Sequence, residues 1–387
     1  MRVLSYAWYI YDPSLKPFNK NYTGGGLVVR NLCNYIGKHH ESYLFLGQVV
    51  EPERMVENIN IVKTDYDITQ KNVKGDNKKY IDYMTDIFEK AVKKIQPDII
   101  NFHDYGDLAE SIVKHVCSRL EIPYVITCHL YEAKNVEYSG YEDAREVSKR
   151  LLELPNIKII TVSNGMKRKI LKDYRDYDEK RLVPILNGTD FKADRRNDTL
   201  KKELGIGNKK VLLCVGSIGN RKNQIQLLRV FEQDASLREK VFVIFCGKMA
   251  VRTTYNIIDE IEKADLADCM LYVGALQNEE MKDFYSISDA LIMPSYAEGL
   301  SISALEAIAY GLPIIMYEDS ECADDLHDQR VSCFADSHSD ASMGKAIHEW
   351  YEKSWDSEYI KNYSKRFTMD EMARNYLKFY EKTLLKV

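Results

Sequence analysis

A chain of 387 residues, 45% hydrophobic and 29% charged, has the make-up of a folded globular protein with apolar material for two substantial cores. A formal net charge of −5 argues against a partner held mainly through nucleic-acid phosphates, although a local basic patch stays open. No apolar run approaches the roughly 20 residues that span a bilayer, and Met1–Tyr9 is too short for a secretion signal.

The first strand is predicted over Arg2–Tyr6. After a long loop comes Tyr22-Thr23-Gly24-Gly25-Gly26-Leu27-Val28-Val29-Arg30, three glycines entering a helix. Such a cluster brings backbone N–H groups against a phosphate, or is a plain turn. It is neither a P-loop, since no Lys-Ser/Thr follows, nor G-x-G-x-x-G. Apolar runs at Ser42–Leu46, Asp98–Phe102, Tyr124–Thr127, Lys158–Val162 and Leu182–Leu186 follow as strands, with helical periodicity at Lys78–Ile95 and Asn164–Asp173 between them. Polar residues stand just past these strands. His129 reads equally as a ligand contact or a hydrogen-bonded core residue. His103-Asp104 is the weaker candidate and reads first as structural. Asn187-Gly188-Thr189-Asp190 is a turn signal before anything else.

The stretch Lys192–Asn208 is polar, charge-rich and aperiodic, and marks a domain boundary. Beyond it the alternation starts again. Strands are predicted at Lys210–Val215, Val241–Cys246, Met270–Val273, Asp289–Met293, Pro313–Tyr317 and Val331–Ala335, with helices at Asn223–Asp234 and Glu279–Ile287. Strand–helix alternation predicts parallel sheets covered on both faces, and two sets predict two doubly wound α/β domains with ligands outside the carboxyl ends of the strands. The last stretch, Asp370–Leu385, is amphipathic. The eight cysteines show no C-x-x-C spacing, and Cys128, Cys214 and Cys246 lie in apolar runs where a thiol acts as a small hydrophobe. A reduced, cytoplasmic protein without disulfides is expected.

Two loops of the second half carry chemistry. Gly216-Ser217-Ile218-Gly219 leads from a strand into Asn220-Arg221-Lys222-Asn223, where Arg and Lys stand ready for phosphate oxygens. A basic pair is usually a solvated face, but this one sits where the fold puts its ligand. The second loop, Ser295-Tyr296-Ala297-Glu298-Gly299-Leu300-Ser301-Ile302, joins a buried strand to a helix that bears Glu306 and stops at Gly311-Leu312-Pro313. Backbone N–H groups at that helix start favour a diphosphate. The plainer readings remain. Glu298 is a solvated loop acid, and Ser303 and Glu306 form a capping box in S-x-x-E spacing.

The segment from Glu298 to Glu306 resembles the E-x7-E signature of retaining nucleotide-sugar glycosyltransferases, most closely family 4. The resemblance is specific between Val211 and Pro313 and rests on pattern alone in the first half. It implies the GT-B architecture, with an acceptor-side domain over residues 1–195 and a donor-binding domain over 196–367. A terminal segment, 368–387, then crosses back onto the first domain. It implies that Arg221 and Lys222 clamp the donor diphosphate. Glu298 would hold sugar hydroxyls, Glu306 the ribose, and His129 the transferred sugar. Gly24, Gly25 and Gly26 would face the phosphates, while Gly216, Ser217, Gly247, Ala275, Gly299, Leu300, Ser301 and Ile302 would line the donor site. Ser301 departs from the pattern, which most often has glycine there, and is tolerated where its φ is negative.

The activity so implied is metal-free transfer of a sugar from a nucleoside diphosphate, with a UDP-linked donor expected, to a hydroxyl-bearing glycan, glycolipid or small glycoside. No resident cofactor, metal or nucleic-acid partner is expected, and a lipid-linked acceptor would bring the chain to a membrane surface. Asp65-Tyr66-Asp67 and Asp176-Tyr177-Asp178 fit a cation-binding D-x-D pattern but read as solvated loops. Two other readings share the architecture: a nucleotide-sugar 2-epimerase and a noncatalytic sugar-binding scaffold.

Overall fold

The computed structural model describes residues 1–8, 10, 24–47, 53–64, 77–131, 142–155, 157–193, 198–250 and 253–385. Most of its strands are continuous apolar runs buried on both faces, unlike the edge strand Arg54–Val56, where Met55 is exposed. In the first half they are β1 (Arg2–Ala7), β2 (Glu41–Leu46), β3 (Arg54–Val56), β4 (Ile59–Ile61), β5 (Ile99–His103), β6 (Tyr124–Cys128), β7 (Ile159–Thr161) and β8 (Leu182–Pro184). They form one sheet in the order β3-β4-β2-β1-β5-β6-β7-β8, parallel except where β3 and β4 pair as a hairpin. That hairpin escapes the sequence reading, since three-residue strands are too short to show a period.

The second half holds β9 (Lys210–Val215), β10 (Val241–Cys246), β11 (Met270–Gly274), β12 (Ala290–Met293), β13 (Ile314–Tyr317) and β14 (Ser332–Ala335), in the order β11-β10-β9-β12-β13-β14. All pairings in this sheet are parallel. Every strand expected from the apolar runs is present, most with ends within a residue of the expected ones. We place the domain boundary between Pro184 and Lys210, in the polar stretch that joins the two sheets.

The helix Met369–Leu384, capped by Thr368, returns to the first domain and buries Met372, Tyr376 and Tyr380 there. Asn101 donates to the Tyr380 hydroxyl at 2.6 Å, and Thr189 N–H donates to Phe367 O at 2.9 Å where the crossover begins. The Gly188-Thr189 part of the Asn187-Gly188-Thr189 turn docks the returning chain, while Asn187 faces the cleft between the domains. The eight cysteines are buried and none is joined in a disulfide. No described helix is long and apolar enough to cross a membrane.

Candidate functional site

The carboxyl ends of β9, β10 and β12 converge on one cleft with the start of the helix Gly24–Gly37 from the other sheet. After β9 the loop Ser217–Gly219 is pinned by the fully buried Gln224. Its amide donates to Ser217 O at 3.1 Å and accepts from Gly219 N–H at 3.1 Å. The strand ends approach very closely there. A Cβ on Gly247, whose φ is +149°, would lie 1.9 Å from Gly216 O, so only glycine fits.

This loop is then laced to the turn after β12. Tyr296 N–H donates to Arg221 O at 2.9 Å, and Arg221 Nη1 donates to Ala297 O at 2.6 Å. Lys222 Nζ meets Glu298 Oε1 directly, while Arg221 Nη1 stands 3.6 Å from the same oxygen. Burial works against the charge on Glu298, but Lys222 and Arg221 together hold its carboxyl below the usual range. The two cations and Glu298 therefore form one charged cluster, and Glu298 is not a solvated loop acid. The backbone of this turn is held from behind, where Glu298 N–H donates to Glu321 Oε2 at 2.9 Å.

Two close approaches join the halves of the cleft. A Cβ on Gly299 would sit 2.5 Å from His129 O, so glycine is required for the domains to meet there. Asn187 Nδ2 donates to Leu300 O at 2.8 Å.

Ser301 is the N-cap of the helix Ile302–Ala309, with φ −64° and no side-chain capping bond. Its negative φ explains why a non-glycine residue is tolerated. Ser303 lies inside the helix, not at its cap, so Ser303 and Glu306 form no capping box. Glu306 instead accepts from the Tyr285 hydroxyl at 2.7 Å, and burial lifts its carboxyl to about 7. A carboxyl so displaced beside a cleft is a functional candidate, because burial without a cation is costly unless it serves a ligand.

His129 follows β6 at the cleft's other wall. Its Nε2 lies 3.0 Å from His103 Nδ1, and its N–H donates to Asp104 Oδ1 at 3.3 Å. Asp104 has φ +72°, a left-handed backbone that a non-glycine residue seldom adopts.

Arg221, Lys222, Glu298, Ser301, Glu306 and His129 line one cavity of about 300 Å³. It brings together every residue predicted for the donor site except Gly26, which is buried inside the helix Gly24–Gly37 and does not reach the cavity. The correction has a simple cause: a helix turns successive residues to different sides, so three glycines at its start cannot all face one ligand. Leu27, Leu130, Lys248 and Met281 also line it and were not singled out from sequence, while Ser303, read there as part of a cap, and Asn187, read as a turn residue, line it too. Lys248 had a usable signal, its place just after Gly247 at the end of β10. Of the D-x-D triplets, Asp178 caps a short turn by accepting from Lys180 N–H at 3.0 Å, away from the cleft. Asp65-Tyr66-Asp67 lies outside the described residues.

Two parallel-sheet domains facing such a cleft, with the terminal helix crossing back, define the GT-B glycosyltransferase class. The chain belongs to that class: the model of Glycosyltransferase Family 4 matches residues 22–193, and that of Glycosyl transferases group 1 matches 196–367. A D-inositol 3-phosphate glycosyltransferase of Corynebacterium jeikeium is 22% identical over 281 residues, 67% of each chain. An uncharacterized glycosyltransferase of Methanocaldococcus jannaschii is 23% identical over 233 residues, which is 57% of each chain. The matched part thus spans between about half and two thirds of such relatives. Among solved structures, sucrose-phosphate synthase of Thermosynechococcus elongatus superposes over 100% of both chains with a TM-score of 0.78 at 15% identity. Anabaena HepE, solved with UDP and glucose, covers 98% of this chain and 99% of its own, with a TM-score of 0.73 at 14% identity. At such identities the likeness concerns the fold.

Proposed function

We propose that this chain transfers a sugar from a nucleoside-diphosphate donor, UDP-linked, to a hydroxyl group with retention at the anomeric carbon and without a metal. The observation that carries this reading is the charged cluster of Arg221, Lys222 and Glu298 at the mouth of the cavity that also holds the buried Glu306. Two cations suit the diphosphate and Glu298 the hydroxyls of the sugar. Glu306 beside Tyr285 suits the ribose diol.

When the bond from the anomeric carbon to the diphosphate oxygen breaks, the electron pair stays on the diphosphate. Arg221, Lys222 and the start of the helix Ile302–Ala309 stabilise the charge that develops. The acceptor hydroxyl then bonds to the anomeric carbon on the face just vacated, and its proton passes to the departing phosphate oxygen. Cations already fixed by the fold do the work a metal would otherwise do. That HepE binds UDP on the same fold supports a UDP donor. A second cavity of about 680 Å³ opens beyond His129, lined by Tyr6, Trp8, Tyr80, Tyr105 and Asp104, and suits the acceptor.

Incubation with UDP-sugars alone, then with hydroxyl acceptors and excess EDTA, tests the reading. Slow donor hydrolysis, and a product that keeps the donor's anomeric configuration in the presence of EDTA, support it. Isomerised donor would establish the epimerase instead, and rescue by Mn²⁺ after loss in EDTA would overturn the metal-free mechanism.

A further inference from the structure

One buried polar chain runs from the terminal helix to the cleft and is not used by the transfer just described. Thr127 Oγ1 donates to Asn101 Oδ1 at 3.0 Å, with the amide nitrogen of Asn101 turned away from Thr127. That nitrogen reaches the Tyr380 hydroxyl at 2.6 Å and His103 Nε2 at 3.2 Å. His103 Nδ1 in turn reaches His129 Nε2 at 3.0 Å. Asn101, Thr127 and Tyr380 are fully buried, and His103 is 2% exposed.

With the Asn101 amide nitrogen facing Tyr380 and His103, one proton arrangement follows. An amide nitrogen only donates, so His103 Nε2 accepts and its single ring proton sits on Nδ1. That proton points at His129 Nε2, which must also accept. His129 then carries its proton on Nδ1. We propose that His103 is a positioning residue of the transfer, holding the His129 ring neutral with its proton on Nδ1 through the relay that starts at Tyr380. In this state His129 Nε2 is no general base. The ring offers a substrate only its Nδ1–H, and its carbonyl stays packed on Gly299. The proposal rests on the transfer reading for its consequence in rate, but not for the proton arrangement itself.

The groups facing His129 agree with a neutral ring. Burial works against charge on His129, while the Asp104 carboxylate below its backbone works for it, and the balance lies below the ordinary histidine value. His103, more deeply enclosed, is held well below that value by burial and by His129.

Two measurements test this. Nitrogen-15 NMR of histidine-labelled full-length protein should show protonated Nδ1 and bare Nε2 on both rings, with no titration between pH 6 and 8. His129 protonated on Nε2 would overturn the proposal whether or not any donor is turned over. Kinetically, His103→Ala should lower kcat roughly 10-fold, the scale of losing an outer partner of a functional histidine, with little change in donor KM. It should also add an acid limb to the pH profile as His129 titrates nearer 6.5. His103→Gln, whose amide can donate to His129 Nε2, should restore most of the rate and a flat profile. A His103→Ala enzyme with the wild-type pH profile would refute the role. A wild-type protein with the predicted tautomers but no transfer would place the failure in the proposed function.

Discussion

Lys169 Nζ, on the helix Asn164–Asp173 of the first domain, lies 3.0 Å from Glu321 Oε1 in the second, and both side chains are buried. The other oxygen of Glu321 accepts from the backbone of Glu298. An ion pair between domains thus stands directly behind the turn that presents the charged cluster. Its neighbours reinforce it: Asn164 donates to Asp325 through backbone and side chain at 2.8 and 2.6 Å, and Arg168 Nε is shared between the two carboxylate oxygens of Asp324 at 2.9 and 2.8 Å.

Breaking this pair from one side leaves a buried charge without a partner. Lys169→Met should destabilise the protein by about 3–5 kcal/mol, as measured by urea unfolding. Burial already pushes the Glu321 carboxyl up against the pull of Lys169, so the variant should lose more stability at pH 8 than at pH 5. Adding Glu321→Gln removes the charge and should recover most of the loss. A double variant as unstable as the single one would show that packing, not charge, is what Lys169 supplies.

The buried Glu306 should make both stability and nucleotide affinity depend on pH. Its folded value, about 7, lies above the 4.5 of the free acid. Below 4.5 both states are protonated, between the two values only the unfolded state ionises, and above 7 both are charged. The contribution is therefore full at low pH and lost by about pH 7, with a total on the order of 3 kcal/mol. Ribose hydroxyls would bond best to the carboxylate, so UDP affinity should rise from pH 6 to 7.5 with proton release on binding. Calorimetry in buffers of different ionisation heat reads this directly. Glu306→Gln should abolish the proton release and weaken UDP, and undiminished affinity in that variant would remove Glu306 from the donor site.

Loss of either cation should fall mainly on kcat. Removing one preorganised donor from a comparable site costs about 10²–10³ in rate. Arg221→Ala and Lys222→Ala should each do so in steady-state kinetics. They should differ in stability. Lys222 loses a carboxylate partner, Glu298, whereas Arg221 loses its bond to the Ala297 carbonyl at 2.6 Å, so Lys222→Ala, which leaves a buried charge with its nearest cation gone, should melt lower. Wild-type rates in both would sink the diphosphate clamp.

Glu298→Gln separates ground state from transition state. If its bonds to sugar hydroxyls tighten as charge develops, kcat should drop by at least tenfold while donor KM changes little. An equal effect on both would make it a plain binding residue.

Much of the fold and half of the site were legible in the chain. A strand buried on both faces writes itself as an unbroken apolar run, so β1, β2 and β5 to β14 could be placed from composition alone. Because such sheets bind ligands at strand carboxyl ends, Arg221, Glu298 and His129 could be singled out without seeing them meet. Local signals misled where a neighbour in space decides. The Ser303–Glu306 spacing looked like a cap until Ser301 took the cap and Tyr285 took the carboxylate. Three glycines looked equivalent until the helix turned Gly26 inward.

What the sequence determined by itself was what each short segment does with its own backbone: strand, helix, turn and the side of a strand end on which ligands gather. Only the tertiary structure decided which charge faces which. Lys169 against Glu321, Lys222 against Glu298 and His103 against His129 each join residues from separate elements, and nothing in either local sequence names its partner. Periodicity is set by contacts one turn or one residue pair away, whereas electrostatic pairing is set by how whole sheets and helices come to rest on one another.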